Sequence, residues 1–389
     1  MAEEKYVDLG VGMLGNVDSG KSTVIGALVT GKKDDGDGLL RKDVSRHPHE
    51  ISSGRTSDIA YHPAVFGKNR ITFCDLAGHE KYLKTTIQGL GSFLPDLICL
   101  CVDKYTPTYK MTREHLGITF RMKIPFIVIM TKIDLYDEDV TTHSLTQLST
   151  LIKRNSSRKP YTIKRIEDVD LAVRTYLGMS IIPIFHVSNV TLQGYDTLKE
   201  FLSRISKPIN TRFFHPSCFM VDRDYRIRGI GLVVSGFNGT DVLNVGDKIL
   251  INNTHDGIIR SIHNDFREVV QSLPHGVRGC LGIRSVVDRV PIGTVISVNP
   301  VRMVQEFIAN VNILTSHSVT ITKGYQTVIH CGCIRRPCTI TNPAPVIFRG
   351  GDNGRLYFKM FKPAYLEVNQ SIFFREGTVI GDGQIVELL

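Results

Sequence analysis

The sequence predicts an α/β domain, a mostly parallel sheet flanked by helices, followed by two β-barrel domains. Three observations carry that expectation. The run Gly15-Asn16-Val17-Asp18-Ser19-Gly20-Lys21-Ser22 fits the phosphate-loop pattern GxxxxGK[ST] between an apolar strand-like run and a helix-like run. As far as about Pro208, apolar runs alternate with amphipathic segments, the signature of a largely parallel sheet. After Lys207-Pro208 the text changes to short β runs broken by Gly, Asn and Asp turns, such as Gly231-Leu-Val-Val-Ser-Gly236 and Asp247-Lys-Ile-Leu-Ile251.

Taken in order, Val7–Leu14 reads as the first strand and Lys21–Leu28 as the first helix, so the glycines fall at the turn between them. Backbone N–H groups there can close around phosphate oxygens at the positive end of the helix. Asn16, Val17, Asp18, Ser19, Gly20, Lys21, Ser22 and Thr23 are therefore candidate nucleotide contacts, with Lys21 reaching the outer phosphates and the Ser22 hydroxyl ligating Mg²⁺. The polar stretch His49–Thr56 follows, and the Thr56 hydroxyl and N–H suit Mg²⁺ and a γ-phosphate. Such a loop orders with the triphosphate and relaxes after hydrolysis.

The strand Ile71–Leu76 delivers Asp75 to a sheet edge, where it can hold a Mg²⁺-bound water, and Gly78 can offer its N–H to a γ-phosphate. A helix is expected over His79–Leu90, a strand over Leu97–Val102, a helix over Met111–Met122 and a strand over Pro125–Met130. That last strand ends in Thr131-Lys132-Ile133-Asp134. The Asp134 carboxylate can accept bonds from guanine N1–H and N2–H₂, a pattern adenine does not present, which selects GTP over ATP. Helices over Leu145–Lys153 and Glu167–Leu177 precede the strand Ile181–Val187, whose end, Ser188-Asn189-Val190, can support the base. A helix over Tyr195–Ile205 closes the first domain, and Val298-Asn-Pro300 marks a second boundary. The expected domains are 1–208, 209–300 and 301–389, the latter two of a size suited to small barrels.

Composition narrows the class. At 389 residues the chain exceeds one ordinary core, and its formal charge of +9 suits an acidic partner such as RNA, or a well-solvated basic surface. No run approaches the roughly 18 consecutive apolar residues of a membrane span, and the start (Glu3, Glu4, Lys5) has no signal-like apolar block, so a cytoplasmic protein is expected. A monomer is expected as well. The eight cysteines are scattered, several within apolar runs, which suits reduced thiols. Cys331, Cys333 and Cys338 beside His330 invite a metal reading, but without a paired CxxC partner buried strand cysteines fit better.

Together, GNVDSGKST, HEISSGRTSDI, DLAGHEKYLKTT, TKID and VSNVT, in this order, resemble the translational GTPases that include elongation factor Tu, and among them the GTP-binding protein one group. The resemblance continues through MVDRDYRIRGIGLVVSG, Ile259–Phe266, VIHCGCIR and FREGTVIGDG. It implies a GTPase domain followed by two β-barrels that clamp aminoacyl-tRNA in the GTP state, with the ribosome as a second partner. It implies also that His79 positions the attacking water, and that Asp18 stands where the family places a monovalent cation near the phosphates. Three positions depart from the family pattern. Thr131 replaces the usual Asn, Ala77 replaces Pro, and Arg55 stands where elongation factor Tu has an apolar gate residue facing Val17. Two function classes follow: a GTP-hydrolysing factor acting with aminoacyl-tRNA and the ribosome, and a GTP-gated RNA-binding adaptor for RNA-decay or ribosome-associated partners.

Overall fold

The computed structural model describes residues 6–44, 59–103, 110–135, 137–207, 217–313, 320–342, 347–376 and 378–389. The chain divides into two compact units, Met1–Gly89 with Pro95–Arg212, and Leu90–Leu94 with Phe213–Leu389.

The first unit is built on a seven-stranded sheet, with strands β1 (Val7–Gly15), β2 (Ala60–Phe66), β3 (Asn69–Asp75), β4 (Leu97–Asp103), β5 (Phe126–Thr131), β6 (Lys159–Ile163) and β7 (Ile181–His186). Their order is β2-β3-β1-β4-β5-β7-β6, and only the β2–β3 pairing is antiparallel. β1, β4 and β5 are apolar along most of their length because helices cover both faces of a parallel sheet. The sequence expectation missed both edge strands. Each carries a proline, Pro63 in β2 and Pro160 in β6, which weakens the sequence signal but is tolerated where one side of the strand has no partner.

Among the described residues the helices are α1 (Lys21–Thr30), α2 (Leu39–Val44), α3 (Leu83–Phe93), α4 (Lys110–Met122), α5 (Glu138–Asn155), α6 (Ile166–Thr175) and α7 (Tyr195–Arg204). The segment expected as one helix from His79 is a short 3₁₀ turn, Glu80–Tyr82, running into α3. α5 begins earlier than the Leu145 expected, with Glu138 and Asp139 in its first turn and Lys153 and Arg154 in its last, a charge order that favours the helix dipole. The end of α7 is held by Asn69, whose buried amide donates to the carbonyls of Leu202 (2.8 Å) and Ile205 (2.7 Å). Because the chain departs from β1 to opposite sides through β3 and β4, the loops at the carboxyl ends of these strands frame a crevice.

Among its described residues the second unit is all β apart from Leu90–Leu94. Its first sheet runs from Phe219 to Ser297 and closes on itself through the pairing of Lys248–Ile251 with His255–Asn264. Phe219, Val234, Ile259 and Leu281 fill the interior. Met303–Ile313, Asn353–Tyr365, Ile334–Ile340, Gln326–Cys331, Ser371–Glu376 and Thr378–Leu388 form a closed six-stranded barrel, in that order. Its centre is aromatic: the Phe307 and Phe358 rings stack at 5.1 Å. Cys331, Cys333 and Cys338 are buried in this barrel's core, and burial pushes the Cys333 and Cys338 thiols up to about 12. The Cys331 and Cys338 thiols donate to the carbonyls of Ser371 and Thr327. No metal-binding group of three His, Cys, Asp or Glu residues occurs among the described residues.

Candidate functional site: a nucleotide cleft

Backbone geometry builds the phosphate loop. Gly15 sits at φ +146°, and a Cβ there would lie 2.3 Å from the Cys101 carbonyl oxygen, so no side chain fits where β1 turns away from β4. Inside the turn, the Ser19 hydroxyl donates to the Asn16 carbonyl at 2.9 Å, and the Asn16 side chain accepts the Val17 N–H at 2.8 Å. Gly20, left-handed at φ 81°, starts α1 with no side-chain cap, and this end of the helix opens on the cleft. An uncapped helix N-terminus offers N–H donors and positive potential to an anion.

Lys21 is the cation of the loop. Its ammonium donates to the carbonyls of Asn16 (2.8 Å) and Gly15 (3.1 Å). Burial draws its pKa below the ordinary lysine value, while the negative charge of Asp75 works the other way. The Ser22 hydroxyl donates to the Asp75 carboxylate at 2.6 Å, which sets two hard oxygen donors side by side at the mouth of the loop, the chemistry Mg²⁺ takes. Gly78 closes against the same loop. A Cβ on it would lie 2.4 Å from the Gly15 carbonyl oxygen and 2.5 Å from Lys21 Nζ, so its backbone approaches the lysine as a γ-phosphate contact requires.

His79 follows as the cap of the 3₁₀ turn, with its Nδ1 accepting the Lys81 N–H at 3.1 Å and its ring edge-on to Tyr82. With Nδ1 an acceptor, the neutral ring carries its proton on Nε2. That nitrogen can donate a hydrogen bond to a water or a phosphate oxygen; it cannot take a proton while it holds one.

The Thr131–Asp134 end of the cleft is tied to the phosphate loop. Thr131 is buried, and its hydroxyl donates to the Ser19 carbonyl at 2.9 Å, so the residue that replaces the family's Asn keeps a link to the phosphate loop. Lys132, at φ 60°, pairs with Asp103 at 3.1 Å, and Asp134 is exposed on the cleft wall. The Asn189 side chain accepts from the buried Tyr195 hydroxyl at 2.6 Å, and its carbonyl accepts the Asp34 N–H at 2.9 Å. The Ser188 hydroxyl accepts the Thr191 N–H at 3.1 Å and shapes that turn.

These groups enclose a cleft of about 320 Å³. Of the residues expected from sequence, Val17, Asp18, Gly20, Lys21, Ser22, Thr23, Gly78, His79, Lys132, Asp134, Asn189 and Val190 line it. Asn16, Ser19, Asp75, Thr131 and Ser188 are not on the lining; the bonds above place them in support of it. Thr56 and Arg55 lie outside the described residues. Sequence reasoning missed Asp34, Gly36, Gly38, Arg41 and Leu135, which also line the cleft. The run Asp34-Asp35-Gly36-Asp37-Gly38 carried the signal of a built turn, but no motif attached that turn to the nucleotide.

Comparison with known proteins agrees with this geometry. The family model described as "Elongation factor Tu GTP binding domain" matches residues 9–208. GTP-binding protein 2 of Homo sapiens is 31% identical over 99% of this chain and 70% of its own length. The chain belongs to the translational GTPases of the elongation factor Tu type. GTP-binding protein 1 of Xenopus laevis is 33% identical to this translational GTPase over 100% of the chain, which spans 64% of that relative's length. Among solved structures, a bacterial selenocysteine-specific elongation factor, EF-Sec, superposes with a TM-score of 0.75 at 21% identity, covering 98% of this chain and 58% of its own. The elongation factor SelB of Methanococcus maripaludis, solved with the GTP analogue GppNHp, gives 0.71 at 19% identity, covering 99% and 80%. At such identities these structures speak for the fold, a GTPase domain followed by two β-barrels.

Proposed function

We propose that this translational GTPase hydrolyses GTP to GDP and phosphate, binds aminoacyl-tRNA in its GTP state, and acts with the ribosome in the cytoplasm. The observation that carries the reading is the convergence on one cleft of a phosphate-loop lysine, Ser22 bonded to Asp75 behind it, His79 and the Asp134 carboxylate. Phosphoryl transfer asks little of a protein beyond alignment and charge stabilisation. Lys21 and the N-terminus of α1 neutralise the phosphates, the Gly78 N–H meets the γ-phosphate, and the His79 Nε2–H orients the attacking water. Mg²⁺ would be held by Ser22, Thr56 and, through water, Asp75, and supplies charge neutralisation across the outer phosphates when bound. Asp18, on the lining, is the proposed neighbour of a monovalent cation. The proposed domains are 1–208, 209–300 and 301–389, with the barrels and the charge of +9 serving RNA.

The experiment is protection of aminoacyl-tRNA against spontaneous deacylation by the GTP-loaded chain, with the GDP-loaded chain and uncharged tRNA as controls. GTP-dependent protection supports a charged-tRNA carrier. Tight GTP binding without protection transfers the reading to a GTP-gated adaptor for RNA-decay or ribosome-associated partners.

A further inference from the structure

We propose that Arg41 is a second cation for the polyphosphate of the bound guanine nucleotide, presented to the cleft by a purpose-built turn between α1 and α2. The proposal rests on the guanine-nucleotide reading of the cleft and adds a residue that none of the phosphate- and base-binding motifs contains.

The turn is fixed by two carboxylates. Asp34, itself buried, accepts the N–H groups of Gly36 (3.2 Å), Gly38 (3.2 Å) and Leu40 (3.0 Å). Asp35 accepts those of Asp37 (2.9 Å) and Leu39 (3.0 Å). The Asp34 N–H is bonded in turn to the Asn189 carbonyl, so the turn is sewn to the base-binding end of the cleft. On its other side, α2 docks on the phosphate-loop helix: a Cβ on Gly26 of α1 would lie only 2.8 Å from the Leu40 carbonyl oxygen.

The guanidinium that this scaffold carries folds back over Gly38. A Cβ at Gly38 would meet Arg41 Nη2 at 2.8 Å, Nε at 3.1 Å and Cζ at 3.2 Å. The absent side chain is the space the planar fork occupies, and both residues face the cleft that Lys21 and the start of α1 also face. The positive charge of Arg41 reaches Lys21, whose pKa it helps to lower. Lys21, Arg41 and a helix N-terminus face one cleft, where their positive charge attracts a multiply charged anion even with the carboxylates of Asp75 and Asp18 acting on Lys21. A guanidinium is suited to that anion because its fork meets two phosphate oxygens at once.

The test measures GTP, GDP and guanosine binding by the full chain, guanosine by competition, for the parent, Arg41→Ala and Arg41→Lys. Arg41→Ala is expected to weaken GTP and GDP about tenfold to a hundredfold and to leave guanosine within about twofold. It also flattens the dependence of nucleotide affinity on salt, and Arg41→Lys restores part of the loss because the charge returns without the fork. Unchanged GTP and GDP affinity overturns the proposal. So does an equal loss for guanosine, which would mark damage to the turn and its link to Asn189. A parent that binds no GTP would instead sink the nucleotide reading itself, so the two failures are distinguishable.

Discussion

His115 should set a steep acid sensitivity on the first unit. It lies in α4, fully buried, and neither ring nitrogen has a hydrogen-bond partner among the described residues. Burial, reinforced by the charge of Lys21, pushes its pKa from 6.5 down to about 3. The folded chain therefore keeps a neutral ring where an unfolded chain takes up a proton. Between those two values the unfolded state binds the extra proton, so stability falls as pH falls, by about 1.4 kcal/mol per pH unit. Above the ordinary histidine value the group contributes no slope. Two units below it, near pH 4.5, the cost is about 3 kcal/mol, a large share of the stability of an ordinary domain. His115→Leu removes the titration and two buried polar atoms, so it should be near neutral at pH 7 and more stable than the parent by about 3 kcal/mol near pH 4.5. The assay is denaturant unfolding of both proteins across that range. The chain has no tryptophan, and the helices of the described residues lie between Lys21 and Arg204, so far-ultraviolet ellipticity reports the first unit. Parallel stability curves for parent and variant through this pH range would refute the reasoning.

Asp134→Asn should move nucleotide preference from GTP toward xanthosine triphosphate, whose ring offers an acceptor where guanine offers a donor; competition binding reads the exchange, and retained GTP preference would count against the base-reading role. His79→Ala should leave GTP affinity within about twofold and lower the rate of GTP hydrolysis, measured with and without ribosomes, about 10²- to 10³-fold, the scale of losing one positioned donor; an equal loss of binding would contradict it. Thr131→Val removes the hydroxyl that satisfies the Ser19 carbonyl at 2.9 Å and leaves that oxygen buried, which should cost about 1–3 kcal/mol of stability. Unfolding in the absence of nucleotide measures that cost, and a change below about 0.5 kcal/mol would mean that the link carries no weight.

Legibility in the sequence followed how narrowly chemistry constrains each position. Gly15 and Gly78 were readable because the backbone approaches there leave no room for a Cβ. Lys21 and Asp134 were readable because their charges answer particular groups on a nucleotide. The central strands were readable because burial on both faces leaves few residue types free. The edge strands Ala60–Phe66 and Lys159–Ile163 escaped because each mixes apolar residues with a proline and is covered less completely. The start of α5 escaped because Thr141, Thr142 and His143 give no apolar periodicity, although the acidic first turn was there to be read. His115 could not be seen as buried and without a partner, since in sequence it is one more polar residue on an amphipathic helix. The Asp34–Gly38 turn was visible as a turn, but its place beside Asn189 depends on a bond between residues far apart in the chain.

The bonds around the cleft bear on how the departures from the family pattern are tolerated. Ser22 ties α1 to Asp75 at the end of β3, Thr131 ties the end of β5 to Ser19 in the phosphate loop, and Asn189 ties the loop after β7 to Asp34 beyond α1. The first two links join the end of a strand to the phosphate loop or its helix, and the third joins the loop after β7 to the turn that follows that helix. The base and phosphate subsites are thus parts of one hydrogen-bonded frame. A change that weakens contact with the base while keeping its link to the frame loses only that contact. Thr131 is such a change: its hydroxyl is too short to do everything an asparagine amide does, yet it still reaches Ser19. In the proposed reading the task of discriminating guanine then falls on the carboxylate of Asp134, which faces the cleft from a separate turn. A substitution that cut a link while sparing the base contact would do the reverse, loosening the phosphate end of the cleft and leaving the choice of base intact.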